Sequence, residues 1–476
     1  MMHRLFKTCH VGTKCCLLTL IWSFATWIVI FQVYHVLFPS KSEIPELRKS
    51  QLMDSVNVSP DISAFQSALK HVSIRGEPLM KESSSVQIRE NSSLKNNTRN
   101  RAVEEAKLLR LKKLAGLLFP SKALSMDASK ANHSEVGIYY PGREWRDIAG
   151  HPIQAHGGGI IYVPKSETFF WYGENKGGRT YHLSKRGTAR VDVLGVNCYS
   201  SKDLWSWKFE GRALKGEYRN KKSDLYVKNV VERPKVIYND RSKLYVMWMH
   251  IDNGTYSKAA IGVAVSTHPV GPFEYLGSKR PHGCDSRDMT VFKDDNGDAY
   301  IVYSSQINNE LHVGKLTEDY LDVMERGMEK IFIKQRREAP AVFKHKSIYY
   351  MLTSGCTSWN PNGALIHAST SMLGPWVTIG DPCVGGDEEL RTLTFFSQGS
   401  FVLPLPGLQD TFIFMGDRWL PSDLRDSRYV WLPLTMNGPL YQGVSTDIHF
   451  PQLQRVSIRW ADEWKLPQGW NNSQNL

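Results

Sequence analysis

The chain has 476 residues, with 59 Lys and Arg against 47 Asp and Glu, a formal net charge of +12. With 41% hydrophobic and 22% charged residues, the composition is that of a globular protein; it fits neither a disordered chain nor a membrane protein of many spans. The charge is uneven: residues 1–130 hold 19 basic and 10 acidic side chains, so only +3 falls on the remainder, and a basic nucleic-acid groove there loses most of its support.

Residues 15–38 form a run of 24 without Asp, Glu, Lys or Arg, long enough to cross about 30 Å of hydrocarbon as a helix. The run ends in Tyr34, His35, Val36, Leu37 and Phe38 rather than in the small residues of a signal cleavage site, so it is expected to stay as a signal-anchor. Arg4, Lys7 and Lys14 precede it without an acid, which sets residues 1–14 in the cytosol and the rest in the lumen, a single-pass type II arrangement. Sequons at Asn57, Asn91, Asn96, Asn132, Asn253 and Asn471 are candidate glycosylation sites and fit that side. Residues 39–135 read as a polar stem, in which Leu108, Leu111, Leu114 and Leu118 mark a short helix ended by Pro120. Cys198, Cys284, Cys356 and Cys383 allow one or two disulfides, with pairing left open.

Residues 136–476 are read as one all-β domain. Short apolar or alternating runs include 159–164, 168–173, 235–239, 243–250, 289–294, 299–305, 341–345, 348–354, 400–405 and 411–417, several joined by hairpin signals such as Asp295-Asn296-Gly297. Two segments repeat: one opens at Glu232-Arg233-Pro234 and closes at Gly271-Pro272, the other opens at Glu338-Ala339-Pro340 and closes at Gly374-Pro375. Weaker copies begin near Gln154, Asp288 and Gln398, giving five units of roughly 50 residues, the signature of a five-bladed β-propeller. The opening residues Gln154, Glu232, Asp288, Glu338 and Gln398 would then converge at one end of the channel. Carboxylates placed together there would move one another's pKa values apart, as general acid catalysis requires.

The motifs IQAHGGGIIYVP, FFWYGENKGG, VERPKVIYN, SRDMTVFKDDNGDAYIVYSS, REAPAVFKHKSIYYMLTSGCTSWNPN, FFSQGSFVLP and FMGDRW follow one another over some 270 residues. In them the domain resembles glycoside hydrolase family 43, five-bladed propellers, and within it the exo-β-1,3-galactanase branch that includes Golgi-anchored plant members. The resemblance implies that Glu338 is the general acid, that Asp288 orients it and tunes its pKa, and that the fifth-blade Gln398 holds the attacking water, the first blade having Gln154 in the region where the wider family offers an Asp base. It implies sugar-binding roles for Glu174 and Glu232, with Arg233 beside them. Tyr256, Trp359 and Trp419 are candidates for stacking on the apolar face of galactose, whereas Trp205, Trp207, Trp248, Trp376 and Trp431 read as core. His156 reads as structural, and a locally acidic pocket of Glu174, Glu232, Asp288 and Glu338 is expected. No cofactor or metal is expected: GxSxG, P-loop, HExxH and dinucleotide fingerprints are missing, and Asp294, Asp295 and Asp298 read as a hairpin turn. The function that follows is release of terminal galactose from β-1,3-galactan chains of arabinogalactan type, by inversion. The alternatives are a non-catalytic glycan-binding propeller and a Golgi glycosyltransferase, the latter disfavoured by the lack of an Asp-X-Asp motif and of alternating β/α patterning.

Overall fold

A computed structural model describes residues 116–182, 189–436, 453–467 and 470. The anchor run, most of the stem and four of the six sequons lie outside the described residues; within them no helix is long and apolar enough to cross a membrane.

Five antiparallel sheets follow one another in sequence. The first is built from His156–Val163, Thr168–Glu174, Gly195–Ser201 and Lys208–Lys215, the second from Val230–Asn239, Leu244–Asp252, Ala260–Ser266 and Glu274–Lys279. Met289–Lys293, Ala299–Ser305, Glu310–Lys315 and Glu329–Ile331 form the third, and Arg337–His345, Ile348–Gly355, Leu365–Ser369 and Val377–Gly380 the fourth. The fifth contains Gln398–Pro404, Thr411–Arg418, Arg428–Met436 and Val456–Arg459, with Cys383–Val384 added in parallel on its outer edge. The first strand of each sheet neighbours the first strands of the sheets before and after it, and that of the fifth meets that of the first, so the ring closes as a five-bladed propeller.

Apolar side chains from facing sheets fill the spaces between blades, for example Val246, Trp248, Val291 and Ile301 between the second and third. Closure of the ring rests on an aromatic cluster. Trp145 meets Trp431 edge-on with centroids 4.9 Å apart, Trp171 lies 4.8 Å from Trp431, and Tyr139 stacks on Trp464 at 4.3 Å. Each such pair contributes about 0.5–1.5 kcal/mol beyond the area it buries. The short pairing of Ile138–Tyr139 with Trp464–Lys465 joins the two ends of the domain. Trp205, Trp207, Trp248 and Trp431 are buried, as read from sequence, and Trp376 packs partly buried at the edge of a core cluster.

The end of the stem is part of this body. Leu118 is buried, and its carbonyl accepts from the fully buried Arg418, whose guanidinium also donates to the carbonyls of Phe395 and Phe396. Asp294 accepts from Lys344 and Tyr349 in a hairpin turn, as expected. All four cysteines of the domain carry free thiols, so no disulfide is formed there.

Candidate active site

The repeated Glu-X-Pro has a local structural meaning. In the second blade, pairing of the first strand with the second jumps between Glu232 and Lys235; in the fourth it jumps between Glu338 and Ala341. Each jump is a β-bulge, and in each the residue after the glutamate takes a left-handed backbone, Arg233 at φ 55 and Ala339 at φ 49. A bulge leaves one backbone N–H out of the ladder, where Pro234 and Pro340, which have none, are tolerated. The kink re-aims the glutamates into the mouth of the channel. The first blade uses the same device after His156, with Gly157 at φ 59. A side chain there would displace Glu174, because a Cβ on Gly157 would lie 2.3 Å from Glu174 Oε1.

The cavity so formed has a volume of about 350 Å³ and is lined by Glu174, Glu232, Arg233, His250, Tyr256, Asp288, Asn308, Glu338, Cys356, Trp359, Gln398 and Trp419 among others. Four of the five unit-opening residues therefore meet or flank it. Gln154 does not: it precedes the first strand, at the seam between the first and fifth blades, where its amide donates to the carbonyl of Arg425. The first blade contributes Glu174 instead, from the end of its second strand, directly opposite His156 in register.

Glu338 is 7% exposed. Its two oxygens accept from Gln398 Nε2 at 3.2 Å and from Asn308 Nδ2 at 3.2 Å. Burial and then the charge of Asp288 push its pKa up to about 8, so the group carries a proton at neutral pH. Asp288 in turn is held by Arg233 Nη2 at 3.0 Å. The same nitrogen donates to Gln398 Oε1 at 2.6 Å, which also accepts from Trp419 Nε1 at 3.0 Å. Since Arg and Trp only donate, the orientation of the Gln398 amide is fixed. Its nitrogen serves Glu338 and, at 2.9 Å, Ser354 Oγ. Arg233 thus ties Asp288 to Gln398 across the cavity.

Glu174 and Glu232 share Lys176, a buried side chain that the sequence reading passed over; its amine pairs directly with Glu174 and stands 3.7 Å from Glu232. Lys176 also faces the rings of Trp359, at 4.9 Å, and Trp419, at 5.4 Å, which meet edge-on. Tyr256 donates to Glu232 at 2.9 Å. His250, also missed, is buried between two carboxylates, Nδ1 3.3 Å from Glu232 and Nε2 3.1 Å from Asp252. Burial opposes its charge, but Asp252 and Glu232 raise its pKa to about 9. Burial likewise pushes Glu232 up, yet Lys176 and His250 outweigh this and hold it at about 2.

The expectation of an acidic pocket is therefore corrected. Glu174, Glu232 and Asp288 are matched by Lys176, His250 and Arg233, and Glu338 holds its proton; an uncompensated cluster of buried carboxylates would cost too much desolvation. Glu232, His250 and Asp288 bring one ligand atom each within 4.8 Å of one another, the one such grouping among the described residues. Arg233 and Lys176 already supply the positive charge a cation would bring. His156 is structural: it contacts Asp417 at 2.9 Å and stacks on Tyr429 at 4.6 Å, tying the first blade to the fifth. A larger cavity of about 730 Å³ opens at the other end of the channel, but its carboxylates, Asp240 and Asp295, are paired with Lys293 and Lys344.

A buried, protonated carboxyl beside an oriented carboxylate, in a propeller mouth walled by tryptophans, defines a glycoside hydrolase. The family model for glycosyl hydrolases family 43 matches residues 174–388. A family 43 β-1,3-galactosidase solved with galactodeoxynojirimycin is 34% identical, with a TM-score of 0.60 over 69% of this chain and 100% of that one. An exo-β-1,3-galactanase from Phanerochaete chrysosporium solved with β-1,3-galactotriose is 34% identical, TM-score 0.58, over 70% and 68%. Another family 43 β-1,3-galactosidase is 35% identical, TM-score 0.60, over 70% of this chain, which spans 64% of its length. No curated protein sequence matches. This chain belongs to glycoside hydrolase family 43, whose members invert the anomeric centre.

Proposed function

We propose that the enzyme removes terminal β-1,3-linked galactose from galactan chains such as those of arabinogalactan proteins, with its catalytic domain in the Golgi lumen. The observation that carries this reading is the buried chain of contacts in which Arg233 joins Asp288 to Gln398 and Gln398 in turn reaches Glu338. The relatives that match over most of this chain are a β-1,3-galactosidase and an exo-β-1,3-galactanase.

In this scheme Glu338 gives its proton to the glycosidic oxygen as the bond to the departing sugar breaks, and Asp288, itself fixed by Arg233, keeps that proton in place beforehand. Inversion needs a water on the opposite face of the ring, with roughly 6.5–9.5 Å between the acid and the group that holds it. Gln398 has both N–H groups and both lone pairs engaged. It takes up the water when a sugar seated between it and Glu338 opens their contact. Trp359 and Trp419 offer apolar surface to the galactose ring, while Glu174 and Glu232 accept from its hydroxyls.

The apolar run at residues 15–38 would tether this domain, and the sequons on its far side would carry glycans. Incubation of the purified chain with β-1,3-galactan tests the reading: galactose as the first product supports it, and release of larger fragments or no release contradicts it. Protease protection of the domain in sealed Golgi vesicles tests the orientation.

A further inference from the structure

The floor of the cavity is buried, but its mouth is not. On the Glu232 side the rim consists of Thr255 and Tyr256; on the Glu338 side it consists of Ile307, Asn308, Arg336 and Ser358. Ile307 is 81% exposed, the most exposed large apolar side chain of the domain's described residues. It also lies in the left-handed region, φ 56, between Gln306 at φ 51 and Asn308 at φ 58. Asparagine tolerates that conformation, but a β-branched residue does so only against steric cost. An isoleucine here therefore gains nothing from burial and strains the backbone, so folding does not account for it.

The loop is nevertheless held firmly. Asp285 accepts from the backbone N–H of Gln306 at 2.8 Å and of Ile307 at 3.0 Å and from Ser305 Oγ at 3.2 Å, and it is ion-paired with Arg287. The residue after Ile307, Asn308, touches the acid, donating to Glu338 Oε2. The acid must stand beside the oxygen of the bond it cleaves, so the sugar on the outward side of that bond lies against the rim next to Glu338.

We propose that Ile307 is the platform for the departing sugar, its apolar side chain covering the C–H face of the residue that leaves with the glycosidic oxygen. It is thereby a determinant of leaving-group specificity, with Asp285 as the group that positions it. Strain in the loop is retained because the side chain is needed at that spot. This inference rests on the galactosidase reading above.

The test compares the full-length chain with Ile307→Gly and Ile307→Leu on two substrates, β-1,3-galactobiose and β-galactosyl fluoride, whose leaving group is a single atom. Ile307→Gly removes both the side chain and the strain. KM for galactobiose is expected to rise roughly tenfold, the loss of one good apolar contact. On the fluoride kcat/KM should stay within about twofold, and the melting temperature should be equal or higher. Ile307→Leu, which keeps an apolar side chain, should retain the wild-type KM for galactobiose within about twofold. An unchanged KM for galactobiose in Ile307→Gly, or equal losses on both substrates, would overturn the proposal while leaving the galactosidase reading intact. Wild-type chain that turns over neither substrate would overturn that reading and this inference with it.

Discussion

Gln398 donates its amide nitrogen to Glu338 Oε1 at 3.2 Å, joining the group assigned to the water and the group assigned to the leaving oxygen across blades five and four. The link makes the electrostatics of the acid directly sensitive to what occupies position 398. Replacing Gln398 by Glu keeps an acceptor for Arg233 and Trp419 but sets a second carboxyl against Glu338. Like charges disfavour one another's ionisation, so the alkaline limb of the pH–rate profile should move to higher pH. A limb that stays in place would show that the two side chains do not communicate.

Asp288→Asn should move the same limb the other way. Burial is the larger cause of the raised Glu338 pKa and persists in the variant, but the Asp288 charge is the next cause and is removed. Arg233, released from its 3.0 Å partner, adds a stabilising cation for the ionised acid. In the wild type, rate should fall as pH rises through about 8; in Asp288→Asn the fall should come earlier, with a lower maximum.

Glu338→Gln should reduce kcat/KM on galactobiose on the order of 10²–10⁴-fold, the contribution typical of general acid catalysis. The same change should stabilise the fold in a pH-dependent way. A carboxyl whose folded pKa is raised above its unfolded value of 4.5 costs nothing below that value; its penalty grows as pH rises from there and levels off above about 8. The variant's gain in melting temperature should therefore be larger at pH 8 than at pH 4, as calorimetry at the two pH values can determine.

Arg418→Met removes a fully buried guanidinium that serves the carbonyls of Leu118, Phe395 and Phe396. Three buried acceptors lose their donor, at roughly 1–3 kcal/mol for each that finds no other. Chemical denaturation should show a loss of at least about 2 kcal/mol, and limited proteolysis should cut first near residue 118. Loss of activity in proportion to the unfolded fraction alone would confirm that Arg418 acts through the fold.

Much of this was legible in the chain. The first two strands of each blade are the apolar runs, and the repeated Glu-X-Pro marked the bulges that aim Glu232 and Glu338. The runs were read too short at the channel end, where strands extend through Val230, Arg337 and Gln398, because the polar and charged residues there are buried by partners distant in sequence, as Arg337 is by Thr353 and Glu338 by Gln398. Lys176 and His250 were missed because the carboxylate they share, Glu232, is brought to them only by the fold, and neither residue type signals burial by itself. Gln154 was misplaced because the period gives the blade but not the bulge that decides which residue turns inward. The outer strands Glu274–Lys279 and Glu329–Ile331 are short and largely polar, and leave little trace in hydropathy.

The stereochemistry of the first product tests the account most directly. Proton NMR during the first minutes of β-1,3-galactan hydrolysis by the purified chain should show α-galactose appearing first, with the β anomer rising only by mutarotation. Initial formation of β-galactose would require a nucleophilic carboxylate in the cavity and would contradict the roles given to Glu338 and Gln398.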